Sequence, residues 1–174
     1  GKTTTLRYIA SSLKSHLANK PLSVETTDKH TLYFDYAPIL ISLSPGQAKP
    51  DCLIHLVTTT GQKRFLCTRE RAAKGADAVI FVVDSSAERI DDNVRSFDEL
   101  MAFTSHGEIP IVVQANKQDL DDALGVNEIR SNLNLPKEME VLPTVAKTGK
   151  GLDKLFFAAL KNALRGMSSF EKSN

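Results

Sequence analysis

The chain contains an Asn-Lys-x-Asp sequence, Asn116 to Asp119, shortly after the apolar run 109–113. A short apolar run bounded by turn residues predicts a buried parallel strand, and ligands of open α/β sheets bind beyond the carboxyl ends of such strands. A carboxylate at Asp119 could accept hydrogen bonds from N1–H and the exocyclic amine of guanine, two donors that adenine lacks on that edge. Charge-assisted hydrogen bonds are worth about 1.5–3 kcal/mol, so Asp119 predicts a pocket that selects guanine.

The first residues of the chain supply a complementary chemistry. Gly1, Lys2 and Thr3 match the end of the phosphate-binding pattern G-x-x-x-x-G-K-[ST]. In such a loop the lysine ammonium reaches the β- and γ-phosphates and the threonine hydroxyl binds magnesium. N–H groups at the start of the following helix stabilise the anion further. Apolar residues at helical spacing after Thr3 predict that helix: Leu6, Ile9, Ala10, Leu13 and Leu17.

The sequence begins inside this phosphate-binding pattern, without the pattern's first glycine and without an initiator methionine. We therefore expect the chain to be truncated at its N-terminus. The strand that normally leads into such a loop, about 5–6 residues long, would then be absent from the chain. Because that strand is usually central in a doubly wound sheet, its loss should weaken both stability and phosphate binding.

Length and composition are typical of one globular domain. The 174 residues carry 22 Lys and Arg against 21 Asp and Glu, a net charge of +1 that gives no electrostatic argument for nucleic acid or an anionic membrane. No run approaches the ~20 apolar residues of a membrane span, and no secretory signal is visible. Cys52 and Cys67 have neither metal-ligand nor disulfide spacing, which favours a reducing cytoplasmic location.

Two β-rich segments in the first half of the chain predict an antiparallel hairpin. Residues 31–43 and 52–57 are rich in β-formers, and turn residues separate them at 44–47. Pro38 cannot donate a ladder hydrogen bond, so it favours an edge or bulged position for the first strand. The polar segment 19–30 predicts a loop, and a polar helix after the hairpin should stop at Gly75.

Strands and helices then alternate. Strands are predicted over 78–83, 109–115 and 139–142, and helices over 90–101, with Ser86 as the N-cap, 126–133 and 152–163. Such alternation predicts βαβ units and a mainly parallel sheet, with the hairpin supplying one antiparallel edge strand. The predicted fold class is α/β, a three-layer P-loop NTPase domain over 1–166 that lacks its first strand. A flexible tail is predicted over 167–174.

The order of these motifs resembles that of the small Ras-like GTPases over essentially the whole chain, and is most similar to the prokaryotic MglA-type branch, the mutual-gliding GTPases. The passages that support the resemblance are Gly1–Thr4, Thr31–Tyr36, Thr58–Gln62 and Gln114–Leu120, together with 74–85. Thr58 stands where Ras and its eukaryotic relatives have Asp, and MglA-type proteins also have Thr there. The resemblance implies a magnesium-dependent switch that binds GTP and GDP, hydrolyses GTP slowly and signals in cell polarity or motility. It also implies a Roadblock-type activating partner and downstream effectors.

The resemblance implies roles for residues around the phosphates. Lys2 and the N–H of Gly61 would contact the γ-phosphate, and Gln62 would orient the attacking water. Thr3 and Thr31 would bind magnesium. Two nearby residues are alternatives to Thr31 in this role: Thr26 and Thr27.

The resemblance also implies roles around the base. Asn116 would brace the loop, Lys117 would lie along base and ribose, and Asp119 would read guanine. The segment Thr144–Lys147 resembles the one whose alanine N–H bonds guanine O6, here Ala146, with Val145 where many relatives have Ser. The implied catalytic residues are Lys2 and Gln62, and the implied nucleotide-binding residues are Gly1, Lys2, Thr3, Thr4, Gly61, Asn116, Lys117, Asp119, Val145, Ala146 and Lys147.

Two residues predict a slow reaction, Thr58 as a departure from the Ras pattern and His30 as a departure from the MglA pattern. Thr58 lacks the charge of a carboxylate near magnesium. His30 stands where MglA-type relatives carry an arginine, and an arginine finger can be worth ~10³–10⁵ in rate; Arg64 is an alternative source of that charge. Two other functions stay open, a scaffold that holds GTP without hydrolysing it and a P-loop ATPase or kinase that shares only the Lys-Thr half. Asp35 is expected to be structural or partner-facing rather than catalytic.

Overall fold

The computed structural model describes residues 1–25, 31–42, 52–59, 66–104 and 109–171. They fall into two units, one made of Gly1 with Glu70–Asn174 and the other of Lys2–Arg69. None of the helices in these ranges is long and apolar enough to cross a membrane. The elements are α1 (Lys2–Ser12), β1 (Leu22–Glu25), β2 (Thr31–Ile41), β3 (Cys52–Thr59), α2 (Leu66–Lys74), β4 (Val79–Asp84), α3 (Ile90–Phe103), β5 (Ile111–Asn116), α4 (Val126–Asn132), β6 (Val141–Pro143) and α5 (Leu152–Glu171).

In the unit 2–69, helix α1 packs on an antiparallel sheet with strand order β1-β2-β3. The predicted helical stripe is buried where it meets the sheet, because Leu6 and Ala10 pack with Ala37 of β2. The predicted hairpin is confirmed, with β2 and β3 paired from Phe34–Thr59 to Ile41–Cys52. Helix α1 therefore covers one face of a sheet whose two longer strands come from the hairpin.

Pro38 predicted an edge or a bulged position; β2 is the central strand of this sheet, and its register with β1 shifts between Ser23 and Glu25. The segment expected to be a loop contains β1, which pairs with β2 from Thr31 to Tyr36. Pro38 lies beyond the end of that pairing, and no β1 hydrogen bond requires the N–H that it lacks. Its carbonyl oxygen instead accepts a hydrogen bond from the N–H of Ala18 at 3.0 Å. The polar segment therefore becomes strand β1 because it pairs with β2, and not because its residues have a high β-propensity.

The second unit contains the parallel sheet, with order β4-β5-β6. Strand β5 is central and all six of its residues are buried, as expected for a strand with neighbours on both sides. Helices α3 and α4 add to one apolar core with the three strands. That core contains Val83, Phe97, Ile111, Val113, Ala115, Ile129, Leu133, Leu135 and Val141. The predicted βαβ alternation and the α/β class are confirmed.

The antiparallel part is larger than predicted. The described strands form one antiparallel sheet of three strands, one strand more than the predicted hairpin, and one parallel sheet of three strands. Strands β3 and β4 each lie at the edge of their own sheet, and no described strand pairs with either outer edge. The extra antiparallel strand is β1.

Two predicted helix ends also differ. Ser86 makes no capping hydrogen bond and instead precedes the 3₁₀ turn Ala87–Arg89; its hydroxyl donates to Asp84 Oδ1 at 2.5 Å. Helix α3 begins only at Ile90. Helix α5 continues to Glu171, past the predicted domain end at 166, so part of the expected tail is helical. The domain boundary itself stays a prediction. Gly75 does end α2, as expected.

Gly151, which directly precedes α5, offers a test of this architecture. It has φ +80°, and a Cβ added to it would lie 2.5 Å from the carbonyl oxygen of Pro143 at the end of β6. We expect Gly151→Ala to lower the free energy of unfolding by about 1–3 kcal/mol because it forces strain into the backbone. The matched control is Gly166→Ala inside α5, where a Cβ would meet no atom within 4 Å and better helix propensity should leave stability unchanged or raised. Urea denaturation measures both, and equal stabilities would contradict the packing described.

Candidate functional site

In the unit 2–69, two threonine hydroxyls converge on one buried carboxylate. Thr3 Oγ1 donates to Asp35 Oδ2 at 2.6 Å, and Thr58 Oγ1 donates to the same oxygen at 2.7 Å. The Asp35 N–H donates back to Thr58 Oγ1 at 3.2 Å. Asp35 is only 1% exposed, so hydrogen bonds replace the water that its charge has lost.

Strand register explains this cluster. Asp35 of β2 lies directly opposite Thr58 of β3, and side chains alternate between the two faces of a strand. Asp35 therefore shares the inner face with Ala37 and Ile39, which are both fully buried. Of the two alternatives expected for Asp35, structural or partner-facing, its burial and its hydrogen bonds to Thr3 and Thr58 favour the structural one. The two-residue alternation in the sequence was the signal that could have placed it inside.

The donor set suits magnesium held together with a phosphate. The Thr3 hydroxyl and the Asp35 carboxylate are hard oxygen donors, and Mg²⁺ typically takes one or two protein oxygens while keeping waters and phosphate oxygens. Thr58 has no carboxylate of its own, but it holds the carboxylate of Asp35 beside Thr3. No group of three or more His, Cys, Asp or Glu that could hold a metal occurs in the described ranges. The described residues therefore contain no site in which three or more such side chains alone would coordinate a metal.

Lys2 begins α1; part of the residue's surface is in contact with solvent, while neighbouring atoms surround its ammonium. Partial burial of its ammonium lowers its pKa from the ordinary 10.5, the positive charge of Arg69 lowers the pKa further, and the Asp35 carboxylate opposes this. The fold thus places an ammonium close to a second cation, where each raises the cost of keeping the other charged. A polyanion bound there would relieve that repulsion. Arg69 was not anticipated from the sequence, because nothing in its spacing links it to Lys2.

Several predicted phosphate-site residues lie outside the described ranges or are described only in part. Thr4 lies on α1 and is exposed. Thr31 begins β2, but the structure describes only its backbone. The residues wholly outside it are Thr26, Thr27, His30, Gly61, Gln62 and Arg64, so their roles stay predictions.

In the other unit, Asn116 joins the carboxyl ends of two parallel strands. Its side chain is 4% exposed. Asn116 Oδ1 accepts a hydrogen bond from the Ala146 N–H at 2.9 Å and a longer one from Thr144 Oγ1 at 3.3 Å. Gln114 Nε2 donates to the same Thr144 hydroxyl at 3.0 Å. Asn116 therefore braces the loop after β6, as the sequence predicted.

This bracing changes which N–H of the segment 145–147 can meet a ligand. The Ala146 N–H, expected to bond guanine O6, is engaged by Asn116. The Val145 N–H donates to the Lys150 carbonyl at 3.0 Å. Within the described part of the chain, the Lys147 N–H has no hydrogen-bond partner. The role of the Ala146 N–H toward guanine stays a prediction, and the Lys147 N–H is a second candidate donor beside it.

Lys117 adopts an unusual backbone conformation and forms an ion pair. Its φ is +68°, in the left-handed region, and its Nζ lies 2.6 Å from Asp84 Oδ2. Partial burial would raise the pKa of Asp84, but hydrogen bonds from Lys117 and Ser86 outweigh it and hold that pKa below the ordinary 3.8. Asp84 ends β4 in register with Asn116. Because the pair is partly exposed, it adds only about 0–1 kcal/mol of stability; its main effect is to orient the lysine.

Gly1 and Asp119 complete this end of the structure. A Cβ on Gly1 would lie 2.9 Å from Val82 Cγ1 and 3.2 Å from Asn116 Nδ2, so only glycine allows the backbone to approach Asn116 this closely.

Asp119 is exposed, and its carboxylate has no hydrogen-bond or ion-pair partner among the described residues. That carboxylate is open to a ligand.

Comparison with known proteins agrees with this arrangement. The model of the ADP-ribosylation factor family matches residues 51–163. The chain is 36% identical over 173 residues to the mutual gliding-motility protein MglA of Myxococcus xanthus (strain DK1622), covering 92% of this chain and 87% of that protein. It is 32% identical to human ADP-ribosylation factor-like protein 4C over 131 residues, covering 70% of this chain and 68% of the relative. With this similarity and this site geometry, the chain belongs to the Arf/Ras-like small GTPase family.

Proposed function

We propose that this protein is a molecular switch that binds GTP and GDP and slowly hydrolyses GTP to GDP and phosphate. The observation that supports this most strongly is the open carboxylate of Asp119, in the loop that follows β5, whose end Asn116 braces against the loop after β6. An exposed acceptor in such a setting suits the N1–H and exocyclic amine of guanine. The Lys147 N–H, which has no partner in the described structure, would donate to guanine O6.

Taken by itself, the unit 2–69 offers cations and oxygens that suit the phosphates of a nucleotide. Lys2 would bind phosphate oxygens, and Arg69 would add to the positive charge there. Thr3 and Asp35 would hold Mg²⁺, which when bound neutralises phosphate charge. Thr31 is proposed from the resemblance as the residue that meets the metal when γ-phosphate is present. Phosphoryl transfer of this kind needs positioning and charge stabilisation more than covalent chemistry by the protein.

Hydrolysis and regulation are inferred from the resemblance. Gln62 would orient water, and the N–H of Gly61 would contact the γ-phosphate. We expect a low intrinsic rate because His30 occupies the position of the arginine in MglA-type relatives, and neutral imidazole stabilises transition-state charge poorly. A Roadblock-type partner would then accelerate the reaction, effectors would read the GTP state in polarity or motility, and the protein would act in the cytoplasm. Similarity to the mutual gliding-motility protein MglA of Myxococcus xanthus supports the motility part of this proposal.

Replacing the guanine-reading carboxylate tests base selection. In Asp119→Asn the amide donates a hydrogen where guanine also donates, so GDP affinity should fall about 10–100-fold. Affinity for xanthosine diphosphate, which presents a carbonyl there, should rise. Titration with fluorescent nucleotides measures both. Asp121→Asn, an exposed neighbour in the same loop, is the matched control and should leave the preference unchanged; an unchanged preference in Asp119→Asn would mean that the pocket lies elsewhere.

The pKa of Lys2 predicts a pH dependence. Since this pKa lies below 10.5 in the nucleotide-free protein and bound phosphates raise it, GDP binding should take up protons. Affinity should therefore weaken as pH rises through the window between the two pKa values. Calorimetry in buffers of different ionisation enthalpy measures the uptake. Lys2→Met should bind about 10–100-fold more weakly and lose this slope, whereas the exposed control Lys14→Met should keep it. A slope that persists in Lys2→Met would exclude Lys2 as its source.

Phosphate release separates the switch from a scaffold that holds GTP without hydrolysing it. For a switch, Gln62→Leu should slow single-turnover phosphate release about tenfold or more, because the attacking water loses its orienting group. Nucleotide affinity should change little. If wild type and Gln62→Leu release phosphate equally slowly, with and without a candidate activating partner, the scaffold is the better description.

A further inference from the structure

Gln118, the variable residue inside the Asn-Lys-x-Asp sequence, ties three segments together. Its Nε2 donates to Ser85 Oγ at 2.9 Å and to the Leu124 carbonyl oxygen at 2.9 Å. Its backbone N–H donates to the Thr144 carbonyl oxygen at 3.1 Å. One residue thus joins the end of β4, the loop after β5 and the loop after β6.

The chemistry of these contacts requires a donor at this position. A backbone carbonyl such as that of Leu124 only accepts hydrogen bonds, so the nitrogen of the Gln118 amide, not its oxygen, must face it. The second hydrogen of the same nitrogen reaches Ser85, which is fully buried. Leu124 is held to Ser85 a second time, because its own N–H donates to the Ser85 carbonyl at 2.7 Å. Both donors of the amide nitrogen are therefore used to anchor the far end of the loop.

The loop that Gln118 anchors carries Asp119. Residues 119–122 are all exposed, so little packing holds them in place. Within the loop, the Leu120 N–H donates to the Lys117 carbonyl at 3.2 Å and the Ala123 N–H donates to the Leu120 carbonyl at 3.2 Å, but these bonds only close local turns. The Gln118 amide and the Leu124 N–H fix the loop against the sheet.

We propose that Gln118 is a positioning residue for base recognition, which holds the Asp119 carboxylate where it meets both donors of the guanine edge. The inference rests on the proposed function of Asp119 as the guanine reader. Gln118 itself does not touch the base; it acts through the loop. Loss of its two hydrogen bonds lets Asp119 sample several positions, and a hydrogen bond is made only in a narrow range of distances and angles.

Inosine diphosphate reports this positioning directly. It keeps the N1–H of guanosine diphosphate but lacks the exocyclic amine, so the ratio of the two affinities measures the bond between Asp119 and that amine. A mutation that only lowers folding stability weakens both ligands alike and leaves the ratio unchanged. A mutation that frees Asp119 lowers the ratio.

The experiment compares Gln118→Met, which keeps the length of the side chain and removes its donors, with Gln118→Lys, which keeps donors of similar reach. Wild type should prefer guanosine over inosine diphosphate. In Gln118→Met that preference should fall about fivefold to tenfold, the equivalent of roughly one hydrogen bond, and Gln118→Lys should restore most of it. Ser85→Ala, which removes one of the two acceptors, should give a smaller fall. Urea denaturation of each variant confirms that the folded protein is being compared.

The outcomes separate this inference from the function on which it rests. If wild type does not distinguish the two diphosphates, the proposed guanine site is wrong. If wild type distinguishes them and Gln118→Met does so equally well, guanine recognition stands and the positioning role of Gln118 is wrong. A fall in Gln118→Met that Gln118→Lys does not restore would also overturn the role, because donors at this position would then not be what matters.

Discussion

The hydrogen bond from the Ala146 N–H to Asn116 Oδ1 is the interaction on which the proposed base-reading end depends. Both residues are almost fully buried, and leaving either group without its partner there would cost about 1–3 kcal/mol. This bond holds the loop after β6 against the end of β5. The loop that begins at Lys117 therefore leaves the sheet from a fixed position. The N–H of Lys147, the residue after Ala146, has no partner in the described part of the chain and could bind a ligand.

In the other unit, β3 has a threonine, Thr58, where Ras relatives have a carboxylate, and the carboxylate of this cluster comes from another strand. Thr58 cannot carry the charge, but Asp35 on the neighbouring strand can, and cross-strand register brings the two side chains into contact. The carboxylate also accepts a hydrogen bond from Thr3. A buried charge is tolerable here because the hydroxyls of both threonines satisfy it. The carboxylate beside Thr3 therefore comes from Asp35 on the strand next to Thr58.

Sequence patterns predicted those features that depend on local order. The helical stripe after Thr3, the hairpin and the βαβ alternation all follow from periodicity, and the structure contains each of them. Features that depend on contacts between distant residues were missed. Strand β1 forms from a polar segment because it pairs with β2, and Asp35 is buried because of its register with β3. Asp84 at the end of one strand forms an ion pair with Lys117, which follows the neighbouring strand. The Ala146 N–H is bonded to the side chain of Asn116, whose orientation could not be read from the spacing of the motif.

The central claim, that the carboxylate of Asp119 reads the base of a guanine nucleotide, is tested most directly by competition. Fluorescent GDP bound to the purified protein with magnesium is displaced by unlabelled GDP or ADP, and the two midpoint concentrations are compared. We expect ADP to require at least about a hundredfold higher concentration, since it lacks both donors that Asp119 would accept. Displacement by ADP and GDP at the same concentration would contradict the account.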